Sequence, residues 1–215
     1  MRKRPIVALL YDFDKTLCNE DMQNYAFIPH LNMTPSEFWS ETEKFGEKEN
    51  MERILAYMYM MVSKAKAKGI HFSKKYLRSL GSTIKYYKGV TTWFKRINEY
   101  GDSLGLDVEH YIISSGVKDI IEGCEIAPEF KKIYACEYMF DENGDAVWPK
   151  VAINYTMKTQ YVFRISKGID NITDDALVNQ RISNEDRRVL YRNMIYLGDG
   201  ITDVPCMRLI KMVNQ

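Results

Sequence analysis

Three short apolar runs, each cut off by acidic or small residues, constrain this chain more than any other feature. Ile6 to Leu10 runs into Tyr11-Asp12-Phe13-Asp14, Tyr111 to Ile113 into Ser114-Ser115-Gly116, and Met194 to Leu197 into Gly198-Asp199-Gly200. Runs that are apolar at every position belong to parallel strands covered on both faces. In an open parallel sheet the ligand lies beyond the carboxyl ends of the strands. The three polar segments therefore predict one site assembled from distant parts of the chain.

The rest of the chain suits such a sheet. Its 215 residues can bury ~70% of the unfolded surface without disulfide or metal support. With 46% hydrophobic and 27% charged residues, neither a disordered nor a collagen-like chain fits. A net charge of +1 argues against a dedicated nucleic-acid binder, and no apolar run is long enough for a membrane helix. The basic start, Met1 to Pro5, leads into an apolar stretch too short for a secretory signal. Cys18, Cys124, Cys136 and Cys206 have neither zinc nor disulfide spacing and read as free thiols of a reducing compartment. The expectation is a cytoplasmic protein with no nucleic-acid or membrane partner.

Between the first two runs the pattern turns helical. Thr34-Pro35-Ser36-Glu37 opens a helix over 32–47, and a second covers 50–68 with Asn50 as its cap. That helix carries a Met and Tyr stripe, read as packing, and its Lys64-Ala65-Lys66-Ala67-Lys68 end as a solvated face. A third helix spans about 74–86, and one over 90–100 returns to the sheet. The division expected is a core of residues 1–18 and 88–215 with an inserted helical part, 19–87. After a short helix over 118–123, Asn143-Gly144 signals a hairpin over about 133–153. A further helix covers 158–167, and 168–189 reads as a surface loop. His30, His71 and His110 show no ligand spacing and are assigned surface or cap roles. Trp39, Trp93 and Trp148 are read as packing residues, with Trp39 close enough to line a pocket.

The chemistry concentrates in two acidic segments. Asp12 and Asp14, two apart at a strand end, point to one side, where paired carboxylates raise each other's pKa. A dication relieves that repulsion, and carboxylate oxygens suit Mg²⁺. Asp199 and Asp203 form a second acidic pair, with Gly198 and Gly200 allowing close backbone approach.

Asp12-x-Asp14-x-Thr16 after an apolar strand, Ser114 closing another, Lys158 near a helix start, and Gly198-Asp199-Gly200 with Asp203 together resemble the four motifs of the haloacid dehalogenase (HAD) superfamily, in order. Lys150 and Lys167 compete with Lys158 for the third motif. The resemblance implies an α/β fold: a Rossmann-like three-layer core with a parallel sheet, an inserted α-helical cap and a small β-hairpin. It implies that Asp12 attacks phosphorus and that Asp14 protonates the departing oxygen. It also implies that Asp12, the Asp14 carbonyl and Asp199 hold Mg²⁺, and that Asp203 holds a metal water or orients Lys158. Ser114, Lys158 and the amides of Ser115 and Gly116 then bind the phosphoryl oxygens. A halide leaving group needs no proton, so Asp14 points to phosphate esters and away from dehalogenation. The insertion resembles the cap of phosphoserine-phosphatase-like members, whose acidic residue beyond the first motif meets the substrate amine. Asp21 is better spaced for that role than Glu20, and Arg53 is available as the cap arginine. The expected activity is Mg²⁺-dependent hydrolysis of a small phosphorylated metabolite, by a monomer or a homodimer. A phosphotransferase or phosphomutase using the same intermediate, and a non-catalytic phosphate sensor, are the alternatives. The chain ends at Gln215, soon after the fourth motif, where the resemblance implies a further strand.

Overall fold

The structure is a computed structural model that describes residues 4–212. Met1 to Lys3, part of the basic start, and the final Val213 to Gln215 lie outside those residues.

The chain runs β1 (Ile6–Tyr11), α1 (Met22–Tyr25), α2 (Phe27–His30), α3 (Pro35–Glu49), α4 (Arg53–Ala67), α5 (Lys74–Gly81) and α6 (Val90–Ser103), then β2 (Asp107–Val117) and α7 (Lys118–Glu122). It continues through β3 (Lys132–Phe140), β4 (Ala146–Val151), α8 (Tyr155–Lys167), α9 (Asp175–Asn179), β5 (Met194–Leu197) and α10 (Val204–Met212). One sheet of five strands has the order β4-β3-β2-β1-β5, with β4 alone antiparallel to its neighbour. β1 therefore sits between β2 and β5, and the three polar segments of the sequence meet at one end of the sheet. Ala8 to Tyr11 and His110 to Ser114 are each buried at every position, so layers cover both faces of the sheet. This is the α/β core that the apolar runs foretold.

The helix starts follow local chemistry. At α3 the Thr34 hydroxyl accepts from the Glu37 amide while the Glu37 carboxylate accepts from the Thr34 amide, with Pro35 in the first turn; this is a capping box. At α8, Asn154 accepts from the Met157 amide at 3.0 Å, and Gly168 ends the helix in the left-handed region.

Several expectations are corrected. Asn50 does not open the second helix: it closes α3 in the left-handed region, and Glu52 caps α4 by accepting from Ile54 and Leu55. The third helix stops at Gly81, five residues early. The expected hairpin is present as β3 and β4, and its first strand also pairs in parallel with β2, which the sequence did not indicate. The 168–189 stretch carries a short helix, α9. His110 is buried in the core.

Helices α1 to α5 form the insertion. Their apolar side chains, among them Met22, Phe27, Phe38 and Met58, belong to the same buried cluster as Leu10, Phe13 and Ile113 of the sheet.

Candidate active site

The site is built on the carboxyl ends of β1, β2 and β5. The amide of Asp12 donates to Leu197 O at 2.9 Å, which locks the first acidic segment to the end of β5. Beyond Phe13 the chain turns, with Leu17 N bonded to Phe13 O at 2.9 Å. The turn places Lys15 in the left-handed region, at φ 58°.

At its centre is a buried charge cluster. Lys158, 1% exposed, reaches in from the first turns of α8. Its Nζ lies 3.0 Å from Asp12 Oδ1 and 2.7 Å from Asp203 Oδ1. Burial alone would lower the Lys158 ammonium, but Asp12 and Asp203 outweigh it and hold the pKa above its ordinary value. For Asp12 burial dominates and raises the carboxyl, with Lys158 pulling down and Asp203 pushing up. Asp203 also accepts from the Tyr196 hydroxyl at 2.8 Å and the Gly200 amide at 3.2 Å. A Cβ on Gly198 would stand 2.5 Å from the Asp203 carboxyl, so the glycine is what allows that carboxylate under the loop. With three protein donors on it, Asp203 is placed to hold Lys158.

One carboxylate oxygen each from Asp12, Asp199 and Asp203 lies within 4.8 Å of the others. Three hard oxygen donors in that span fit a small divalent cation. Exposed Asp199 has little protein hold on it: Thr16 Oγ1 stands 3.4 Å away. The Asp14 side chain is not in this group. Its Oδ1 accepts from the Met22 amide at 2.9 Å, and its pKa is driven well up by burial, then by the charges of Asp12 and Asp21. Both carboxyls are thus pushed up, Asp14 further than Asp12.

The end of β2 completes the site. Ser114 is buried, and its Oγ accepts from the Gly116 amide at 3.0 Å. The Ser115 hydroxyl is buried without a partner. A Cβ on Gly116 would stand 2.1 Å from Met22 Cε and 3.2 Å from Asp14 Oδ2. Three segments therefore meet at Gly116, and none leaves room for a side chain there.

The other predicted residues fall as follows. Asp21 is at the rim, its Oδ2 2.8 Å from Lys15 Nζ. Lys150 is engaged by Glu137, and Lys167 by the carbonyls of Leu177, Val178 and Gln180; neither is in the site, which leaves Lys158. Arg53 and Trp39 line a groove of about 690 Å³ between α3 and α4. Cys18 packs in the core. Sequence reasoning missed Tyr57 of α4, whose hydroxyl donates to Ser115 O at 2.6 Å, because a Met and Tyr stripe carries no mark of which member is bonded. It also missed Gln23, buried with its Oε1 unpartnered.

No family model matches the chain. An uncharacterized protein of Borreliella burgdorferi is 28% identical over 239 residues, covering 97% of this chain and 79% of the relative. A HAD family hydrolase from Salmonella enterica serovar Typhi superposes with a TM-score of 0.61 at 14% identity, over 97% of this chain. This chain spans 61% of that hydrolase's length. A substrate-bound phosphoserine phosphatase also gives 0.61 at 14% identity, covering 97% of this chain and 83% of the other. A phosphoserine phosphatase holding a phospho-aspartyl intermediate analogue gives 0.58 at 14% identity, over 98% and 91%. The fold is therefore the α/β fold shared by HAD family hydrolases and phosphoserine phosphatases.

Proposed function

We propose that this chain is a Mg²⁺-dependent phosphatase that hydrolyses a small phosphorylated metabolite through an aspartyl-phosphate on Asp12. The observation that carries this reading is the Asp12–Lys158–Asp203 cluster with Asp199 within ligand distance of it. A nucleophilic carboxylate, a buried ammonium and a metal-sized oxygen set share one sheet end. The similarity in fold to a phosphatase caught with a phospho-aspartyl analogue agrees with it.

Asp12 supplies a carboxylate oxygen that forms the new bond to phosphorus as the ester P–O bond breaks. That splits one difficult displacement into two. Asp14, whose carboxyl is pushed up by burial and by the charges of Asp12 and Asp21, passes its proton to the departing alkoxide. It then takes one from the water that attacks the phosphoryl group, releasing phosphate and restoring Asp12. Such acid–base assistance is typically worth ~10²–10⁴-fold. Lys158 and the Ser115 amide, joined by the Gly116 amide once it exchanges Ser114 Oγ for the substrate, neutralise and orient the phosphoryl oxygens, the main work in phosphoryl transfer. Asp12, Asp199 and the Asp14 carbonyl would hold Mg²⁺, which when bound screens the carboxylates and the phosphoryl charge.

Release of phosphate from a panel of phosphomonoesters tests the reading. Turnover should need Mg²⁺, vanish in EDTA and return on adding Mg²⁺ back. Asp12→Asn should lose at least ~10³-fold in kcat while keeping its circular dichroism spectrum. Undiminished turnover in that variant refutes the mechanism, and phosphate release unaffected by EDTA refutes the metal.

A further inference from the structure

Lys15 and Lys158 each pair with carboxylates of this site, and their situations differ. Lys158 is buried and fixed between two partners. Lys15 is half exposed, and among the described residues its ion-pair partner is Asp21, at 2.8 Å. Lys15 stands between Asp14 and Thr16, whose Oγ1 lies 3.4 Å from Asp199 Oδ1, and its ion-pair partner Asp21 adjoins Met22, whose amide holds Asp14, so the pair sits at the rim of the acidic site. Its backbone lies at φ 58°, a conformation that favours glycine and that L side chains seldom adopt. A lysine kept on a glycine-type turn is a strained residue facing a reactive centre, where strain is commonly retained for function.

The position matters because Asp21 immediately precedes Met22, whose amide holds Asp14. In the phosphatase reading, on which this inference rests, Asp14 faces the leaving oxygen. The Lys15–Asp21 pair therefore borders whatever substituent the leaving alcohol carries. Asp21 is already matched by a cation, whereas Lys15, on a long flexible stem, can exchange Asp21 for a substrate anion.

We propose that Lys15 selects the substrate by its leaving group: the site takes phosphomonoesters whose alcohol bears a second anionic group, a carboxylate or another phosphate, and disfavours those bearing an ammonium. The Lys15–Asp21 ion pair acts as the receptor, opening to admit the anion. Asp21 is then a holder of Lys15 and not a seat for a substrate amine.

Equilibrium binding separates this from the reaction itself. Calorimetry on the Asp12→Asn chain with Mg²⁺ compares 2-phosphoglycolate with O-phosphoethanolamine, esters whose alcohols end in a carboxylate or an ammonium. Five carboxylates around two ammonium groups would, on overall charge, prefer the ammonium ester. The expected result is the reverse, with phosphoglycolate at least about tenfold tighter. Adding Lys15→Gly, which suits the turn and should raise the urea midpoint, should abolish or invert that preference; Lys15→Arg should keep it. Equal binding, tighter phosphoethanolamine, binding of neither ester, or a preference untouched by Lys15→Gly each overturns the proposal. Hydrolysis of p-nitrophenyl phosphate, whose alcohol bears neither charge, reports on the phosphatase reading separately.

Discussion

Two buried ionisable side chains, one on α8 and one on β2, are handled in opposite ways. Lys158 keeps its charge because Asp12 and Asp203 flank it. His110 makes no ion pair among the described residues, and burial lowers its pKa from 6.5 to about 4. A hydrogen-bonded chain fixes its tautomer. Trp93 Nε1 donates to the Tyr11 oxygen at 2.8 Å, the Tyr11 hydroxyl faces His110 Nδ1 at 3.0 Å, and His110 Nε2 faces Asn98 Oδ1 at 2.9 Å. Nδ1 accepts and Nε2 donates in the arrangement that satisfies all three contacts. Because the unfolded His110 binds a proton more readily than the folded one, its contribution is full above pH 6.5. It is lost as pH falls toward about 4, by about 2–3 kcal/mol in all. Urea denaturation from pH 7 to pH 4 should show this slope, and His110→Gln should flatten it; equal slopes in the two chains would show His110 to be accessible to protons. Neither residue's setting was written plainly in the sequence. Lys158 fits the third motif best, with Lys150 and Lys167 as competitors, and the contact of its ammonium with Asp12 and Asp203 follows from the docking of α8, which no local pattern records. Asp107-Val108-Glu109-His110 reads as polar because what buries the imidazole comes from residues 11, 93 and 98.

Elements were legible where their signals are local and misread where one residue serves two purposes. The capping box at Thr34 and the Asn143-Gly144 turn stand as the sequence has them, the turn held by Asp141 Oδ1 accepting from Asn143 and Asp145. Asn50 misled because asparagine suits both a helix start and a left-handed helix end, and here it takes the second. The parallel pairing of β3 with β2 was invisible, since partners joined through a crossover leave no short-range trace. α5 ends where it meets α7. α5 and α7 approach so closely that a Cβ on Gly81 would lie 2.3 Å from Ile120 O, and one on Gly123 1.9 Å from Arg78 O. Both obstacles are backbone, which cannot swing aside. Gly123→Ala, at an ordinary φ of −86°, should therefore cost about 1–3 kcal/mol by forcing the two helices apart. A thermal melt of the variant measures it, and an unchanged or higher midpoint would mean that α5 is free to shift.

Across the whole molecule the helical insertion and the sheet are tied by a few polar contacts set into a shared apolar core. Asn19 N donates to Lys85 O and Tyr87 N to Leu17 O, so the two connecting strands of chain run paired. The Tyr138 hydroxyl of β3 donates to Met58 O in α4 at 3.0 Å. Tyr57, on the same helix, donates to Ser115 O at 2.6 Å, a carbonyl also approached by Cys136 Sγ at 3.3 Å. The Tyr57 contact differs in kind, because its acceptor lies in the segment whose amides face the phosphoryl group in the proposed reaction. Pinning that carbonyl fixes the peptide plane and therefore the direction of the Gly116 amide. Tyr57→Phe keeps the ring and its packing but leaves the carbonyl with the weak thiol donor, a loss of about 1–2 kcal/mol in stability. A merely structural tyrosine would show only that loss. If the bond also aims the amide, KM for p-nitrophenyl phosphate should rise several-fold at temperatures well below the melt, with kcat changed less, since ground-state and transition-state phosphoryl oxygens lose the same donor. Steady-state kinetics of the two chains at 20 °C below the variant's midpoint decides between these, and an unaltered KM would reduce Tyr57 to a stitch between helix and sheet.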